Sequence, residues 1–164
     1  YLVRTTEYTV GRFHGCYENV TEQQATLLGQ DREITETSAW QTVGWGDIGS
    51  QNEYKPYLRV MSMDPNLPEL VSIRLTGGRL PEKAGEILLP EHLLSNGDVR
   101  YVLGNTVTVD LGRRTVDGDQ LMAHNPYVEG ETLEDTKTAP TRWWAFTSGW
   151  TRWWSPSPAP AIPP

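Results

Sequence analysis

Residues 77–97 read GGRLPEKAGEILLPEHLLSNG, and after a short link residues 103–112 read LGNTVTVDLG. The glycine pair that ends at Gly78 permits positive φ at a sharp bend, and Pro81 fixes the exit from that bend. The apolar run EILL is typical of a short core strand, and Pro90 favours the first turn of a helix that NG then ends. The alternation in NTVTVDLG predicts a half-buried strand. This stretch therefore predicts a bend, a strand, a helix and a second strand, in that order.

The residues around this stretch add short elements of both kinds. Thr21 opens TEQQATLLGQ, where its hydroxyl can accept from the backbone near Gln24 and cap a helix that Gly29 stops. Further predicted elements are a bulged strand at residues 6–20, strands at 34–48 and 56–64, and a short helix at 65–72. We therefore predict an α+β fold, with a mixed sheet and short helices in β-α-β-β-α order plus a smaller β-rich subdomain.

Composition excludes several classes of function. The chain has 164 residues, 14 basic and 21 acidic side chains and a net charge of −7. An acidic chain is a poor partner for nucleic acid or anionic headgroups, since both require a basic face. The lone Cys16 can form neither an internal disulfide nor a structural zinc site. No apolar run reaches membrane-spanning length, and the N-terminus lacks the plan of a signal peptide.

The composition changes abruptly at Ala139. Residues 139–164 hold five of the chain's seven Trp residues and end in a proline-rich run that favours an extended, mobile tail. Trp has the single codon TGG, so each Trp-Trp pair gives valine when read one base earlier. In that frame the segment can read RTYTVVGF, which has the alternation of a strand. We hypothesise that a frameshift near Thr138 replaced a native strand, and sequencing of the source DNA would test this. The predicted division is therefore a domain at 1–138 and a tail at 139–164.

The order of motifs from residue 78 onward resembles a known family. Extracytoplasmic domains of FtsX-like and MacB-type ABC transporter permeases tend to carry the pattern "eGR.P…gEivl…la…lGd.v.l". The matching positions are Gly78, Arg79, Pro81, Gly85, Glu86 and Gly104. GRFHGCYENVTEQQ is similar to the opening of that domain, so the resemblance covers nearly all of residues 1–138. Asn105 replaces a common aspartate, and the family's closing "y.VvGi" strand is expected only in the shifted frame.

The resemblance implies a non-catalytic role at the extracytoplasmic face of the cell membrane. The domain would lie between membrane helices of its own permease, and a separate ATP-binding subunit would supply energy. The chain itself lacks a phosphate-binding GxxxxGK[ST]. We expect no catalytic residue, cofactor or metal ion and no nucleic-acid partner. A sheet edge freed by the missing strand would make a second copy of the chain a further candidate partner.

Soft metal ligands are few and scattered. His14 and Cys16 share one face of the predicted first strand, and His92 and His124 are the other candidates for zinc or copper. A structural zinc site prefers a tighter cluster. Cys16 beside a histidine can also form a nucleophile pair, but no third positioning group is recognisable. We therefore interpret Cys16 as a small buried thiol.

Other polar motifs have simple structural interpretations. Asp117-Gly118-Asp119 is better explained as a tight turn than as part of a calcium loop. Asn19-Val20-Thr21 fits a glycosylation sequon, but a helix cap explains the threonine. Three further acidic residues form a predicted patch that is solvated or binds a cation weakly: Glu131, Glu134 and Asp135.

Two other functional classes stay open. A secreted or cell-surface binding module would use an exposed aromatic platform for sugars or peptides, formed by Trp40, Trp45, Tyr54 and Tyr57. Whether these aromatics line a cleft or are enclosed would discriminate it from a passive domain. A hydrolase using Glu86 and Glu91 is the weakest of the three, since each fits better at the start of a strand or a helix.

Overall fold

The computed structural model describes residues 11–148. Within this range the chain divides into two compact units, one of residues 11–41 and 62–72 and one of residues 42–61 and 73–148. The described elements are short helices and one mixed sheet, so the predicted α+β class is confirmed. No helix within residues 11–148 is long and apolar enough to cross a membrane.

The helices begin and end where local side chains favour it. Helix α1 spans Glu22–Gln30, and Thr21 and Gln24 form a reciprocal capping box at its start. The other two are α2 at Leu67–Leu70, with a proline in its first turn, and α3 at His92–Gly97, which ends at Asp98 with a φ of 50°. The predicted helices are thus present, although the second and third are shorter or shifted by about two residues.

Seven strands of the described residues form one sheet. They are β1 at Trp40–Asp47, β2 at Tyr57–Met63, β3 at Arg74–Gly78, β4 at Glu86–Pro90, β5 at Thr106–Val116, β6 at Asp119–Gln120 and β7 at Thr132–Ser148. The order is β2-β1-β5-β7-β3, with β6 paired to β5. Strand β4 also pairs with β7 and runs parallel to it, whereas β3 and β5 run antiparallel to β7. The predicted strands at 56–64 and 86–89 are confirmed almost at their predicted limits.

Strand β7 crosses the predicted boundary between domain and tail, and the division into a domain and a tail stays a prediction. The predicted boundary after Thr138 falls inside this strand, whose backbone continues to Ser148 and pairs with three other strands. A closing strand is therefore present in the printed reading frame. The frameshift itself stays a prediction, and residues 149–164 of the predicted tail lie outside the described residues.

The structure differs from two of the predicted strands, at residues 6–20 and at residues 34–48. Residues 11–20 contain no strand, and residues 6–10 of that prediction lie outside the described range. Gly11 has a φ of 121° and Asn19 a φ of 57°, values that interrupt an extended ladder. The strand predicted at 34–48 begins only at Trp40, because the chain before it turns at Asp31–Ile34 and the N–H of Ala39 binds the Asp64 carboxylate.

Each unit has its own apolar centre. In the first unit Leu67 and Val71 are buried, and Gly11 lies so close to the Leu70 carbonyl that a Cβ there would be 2.1 Å from its oxygen. In the second unit Leu89 and Val109 form the core. The side chains packed around them are Leu58, Ile87, Leu93, Tyr101 and Leu111. This second core joins residues of β2, β4, β5 and α3.

Candidate functional site

The family-like motif forms a hydrogen-bonded clasp between β3 and β4. The Arg79 guanidinium donates to both Glu86 carboxylate oxygens at 2.9 Å, and Glu86 also accepts from the backbone N–H groups of Glu82 and Lys83. These donors, Arg79 first, lower the pKa of Glu86 from 4.5 to about 2. The hydrogen bonds to Arg79 and to the loop explain the Glu86 carboxylate as a structural group. The hypothesis of a hydrolase that uses Glu86 and Glu91 therefore gains no support here.

The motif glycines occupy backbone positions that other residues rarely adopt. Gly78, Gly85 and Gly104 have φ values of 79°, 82° and 86°. The first two flank the clasp, and Gly104 lies in the turn before β5. The spacing of the motif is therefore explained by three left-handed turns and one ion pair.

A cavity of about 80 Å³ lies in the second unit, between the loop after β1, strand β2 and helix α3. Three of the four aromatics of the predicted platform line it: Trp45, Tyr54 and Tyr57. Tyr127, which no motif in the sequence marks, is a fourth aromatic in the wall. Trp40 does not belong to this lining. The predicted flat platform is therefore a concave site that three of its four aromatics line.

A buried ion pair forms part of the cavity wall. The side chains of Arg114 and Glu131 are 3% and 1% exposed, and Arg114 donates to the two carboxylate oxygens at 2.8 and 2.6 Å. Arg114 also donates to the carbonyls of Asn125 and Pro126, and its guanidinium lies 4.6 Å from the centre of the Trp45 ring. This one side chain therefore fixes both an aromatic wall and the loop that leads to β7.

Glu131 and its neighbours correct the predicted acidic patch. Glu131 is enclosed, accepts from the N–H of Val128 and pairs with Arg114, so it is not a solvated carboxylate. Asp135 pairs with Arg113 at the surface, and Glu134 is exposed. No spacing in the sequence identifies Arg114 as the partner of Glu131, because Arg114 lies in β5 and Glu131 lies just before β7.

His92 contributes a polar atom without a hydrogen bond. It lines the cavity, and its Nδ1 is buried with no partner among the described residues. Burial first, and then the Lys55 ammonium, lower the pKa of this imidazole. The ring therefore favours its neutral form at physiological pH, in which one nitrogen donates and the other accepts.

The remaining candidates are dispersed in the described residues. Within residues 11–148, which include His14, Cys16, His92 and His124, no group of three His, Cys, Asp or Glu side chains is arranged to hold a metal ion. Cys16 is exposed, which corrects the prediction of a buried thiol. Its pKa is raised by partial burial and by Glu18, which reduces the thiolate fraction that a nucleophile needs.

Two local predictions are confirmed by the backbone. Asp117 and Gly118 have φ values of 51° and 85° and form the tight turn between β5 and β6. Thr21 caps α1, which accounts for the threonine of the sequon at Asn19.

Comparisons with protein-family models, with curated proteins and with solved structures find no match to this chain.

Proposed function

We propose that the chain is a non-catalytic extracytoplasmic domain of an ABC transporter permease, which relays conformational change between membrane helices and a substrate or partner outside the membrane. The proposal rests on the order of motifs from Gly78 to Gly104. The observation that carries it is the Arg79–Glu86 clasp, because the two charged positions of the motif hold each other and the loop between them.

The position of the clasp suits a part that transmits force. It closes the connection between β3 and β4, and both strands pair with the long strand β7. A close-packed sheet moves as a unit rather than deforming locally, so displacement at one end is carried to the other. The chemistry of ATP hydrolysis would reside in the separate subunit.

The gene's surroundings provide the first test. We expect a membrane helix encoded upstream of Tyr1, another downstream in the shifted frame, and an adjacent gene for an ATP-binding subunit. Absence of all three would contradict the assignment.

A biochemical test follows if those genes are present. The intact permease and its ATP-binding subunit would be reconstituted in vesicles, and transport per ATP hydrolysed would be compared for wild type and Arg79→Ala. Arg100→Ala is the matched control, since Arg100 pairs with Asp98 at an exposed site. We expect loss of coupling in the first variant alone.

A second candidate is a secreted or cell-surface binding module. It is favoured by one observation, the convergence of Trp45, Tyr54 and Tyr57 on the cavity. To test it, a panel of oligosaccharides and peptides would be added to the chain, and the NMR signals of the Trp45 indole would report binding. Ligands that shift only residues remote from the cavity would contradict it.

A further inference from the structure

A polar groove adjoins the cavity beside Trp45. The groove has a volume of about 610 Å³ and shares Tyr54, Asn96 and Gly97 with the lining of the cavity. Four of its other side chains are amides or carboxylates: Gln51, Asn52, Glu53 and Asp98. A molecule that lies in the groove can therefore place one of its substituents in the cavity.

The cavity has room for a group of about four non-hydrogen atoms. Its volume of about 80 Å³ is roughly half that of an engineered apolar cavity that holds benzene, about 150 Å³. An apolar part of such a group would contact Trp45, Leu58 and Leu93, which all line the cavity. A single hydroxyl is too small to fill this space, and an aromatic ring is too large.

The charged side chains of the cavity lining already have partners. Arg114 is paired with Glu131, and Arg59 donates to the Thr42 hydroxyl. Lys55 has an interaction of its own as well. A charge brought by a ligand would therefore have to displace an existing partner, so a neutral group fits the cavity better.

The groove suits a neutral body rich in hydroxyl groups. Its charged lining residues are Glu53 and Asp98, and Asp98 pairs with Arg100 at 3.1 Å, so the groove disfavours anions. Carboxylates accept from hydroxyl groups, and amides both accept and donate. Tyr54 is 68% exposed, and its ring offers an apolar face for the C–H groups of a sugar ring.

His92 adds a hydrogen-bonding position that the protein does not fill. It lines the cavity and lies four positions before Asn96 in α3, and residues at this spacing share one face of a helix. Its buried Nδ1 has no hydrogen-bond partner among the described residues, which is costly for a polar atom. An amide has both an N–H and a carbonyl, so it satisfies this nitrogen in either tautomer.

The walls shared by the groove and the cavity are held by hydrogen bonds. The N–H of Gln51 donates to the Gly97 carbonyl at 2.8 Å, and the Asn52 amide donates to the Asn96 carbonyl at 3.2 Å. Together they fasten the loop after β1 to the end of α3. A site that is already formed costs less ordering entropy when a ligand binds.

We propose that the groove and the cavity together bind a sugar that carries an acetamido group. The acetamido group enters the cavity, where its methyl packs against Trp45 and its amide bonds to His92 Nδ1. The sugar ring lies in the groove against Tyr54. This inference rests on the second candidate function, the binding module, and gives that module a class of ligand.

Three simple sugars test the role of the acetamido group. We would add methyl N-acetylglucosaminide, methyl glucoside or methyl glucosaminide to the full chain and follow the ring signals of Trp45 and Tyr54 by NMR. We expect saturable shifts with the first sugar and about tenfold weaker binding of the second, which lacks the methyl group and the amide. Equal affinity for these two would overturn the role of the cavity. Tighter binding of the cationic glucosaminide would assign the effect to the acidic groove and would also overturn the proposal.

Replacement of His92 tests the hydrogen bond. His92→Phe removes the unpartnered nitrogen and keeps an aromatic ring, so we expect about fivefold weaker binding of the acetamido sugar and little change for methyl glucoside. His124→Phe is the matched control, because His124 is exposed and lines neither space. An equal loss of affinity for both sugars in His92→Phe would contradict a hydrogen bond to the acetamido group.

Replacement of Tyr54 tests the groove with little risk to the fold, because Tyr54 is exposed. We expect Tyr54→Ala to weaken binding of both sugars about fivefold. Tyr17→Ala is the matched control, since Tyr17 is 69% exposed and belongs to the first unit. Unchanged affinity in Tyr54→Ala would overturn the placement of the sugar ring.

Failure of this inference is distinguishable from failure of the binding module. If a peptide with an acetylated lysine, or an oligosaccharide without acetamido groups, shifts the Trp45 signals while methyl N-acetylglucosaminide does not, the module stands and this inference falls. If no sugar or peptide of the panel shifts them, both fall.

Discussion

Arg79 and Arg114 each bind a glutamate through two hydrogen bonds, but their surroundings differ. The Arg79 side chain is 34% exposed and that of its partner Glu86 is 8% exposed, whereas Arg114 and Glu131 are almost completely enclosed. Glu86 also receives two backbone N–H groups of its own loop, while Arg114 serves two carbonyls of a distant loop. The first pair thus shapes a local turn, and the second joins separate parts of the second unit.

The buried pair should show the largest effect. Arg114→Ala leaves the Glu131 carboxylate enclosed without its cation and removes the donor of two loop carbonyls. We expect a loss of about 3–5 kcal/mol in the free energy of unfolding, measured by urea denaturation. Arg113→Ala is the control, because the adjacent side chain of Arg113 pairs with Asp135 at the surface. An equally large loss of stability in Arg113→Ala would contradict the distinction between the buried and the exposed ion pair.

An apolar replacement of both partners sharpens this result. In the variant Arg114→Met with Glu131→Leu no buried charge is left alone, so most of the stability lost in Arg114→Ala should return. The same denaturation experiment measures it. If the double variant is as unstable as Arg114→Ala, the stability comes mainly from the ion pair and its contact with Trp45. The cost of an unpaired buried Glu131 would then be the smaller part of the loss.

The clasp should show a dependence on pH. The pKa of Glu86 is lowered in the folded chain, so its contribution is fully present above the unfolded value of 4.5 and is lost as pH falls toward about 2. The stability difference between wild type and Glu86→Gln should therefore narrow between about pH 6 and about pH 3. The midpoints of urea denaturation of both proteins across this pH range measure the difference in stability. Glu82→Gln is the control, and a difference that stays constant would contradict the assignment.

The exposed pair of Arg113 and Asp135 should show the smallest effect. Asp135 has a φ of 51°, which asparagine tolerates as well as aspartate does. We expect Asp135→Asn to change the free energy of unfolding by no more than about 0.5 kcal/mol. Asp135→Ala should cost more, because alanine lacks the side-chain hydrogen bonding that supports this conformation. An equal effect of both substitutions would place the contribution in the ion pair instead.

Local features of the fold could be predicted from the sequence. The cap at Thr21, the strand β4 and the turn at Asp117 each depend on a few adjacent residues, and each is present. The motif glycines could also be assigned to turns, since positive φ is a property of single positions. By contrast, the start of β1 depends on the hydrogen bond between Ala39 and Asp64, which no local pattern indicates.

The burial of Arg114 could not be predicted because of a bulge. Val109 and Arg114 are both buried, although residues an odd number of positions apart face opposite sides of a regular strand. The register of β5 against β7 shifts between Leu111 and Arg113, and this shift brings Arg114 to the inner side. A regular alternation would have predicted Arg113 there instead. The cavity was missed for the same reason, since its wall depends on Arg114.

The late position of β7 in the chain has a consequence for biosynthesis. Arg74 of β3 pairs with Ser148, and β4 and β5 also pair with this strand. While the ribosome is still making the segment before Ser148, three finished strands lack a neighbour that they have in the folded protein. Such edges recruit other chains, so the nascent polypeptide should depend on a holding chaperone until β7 emerges.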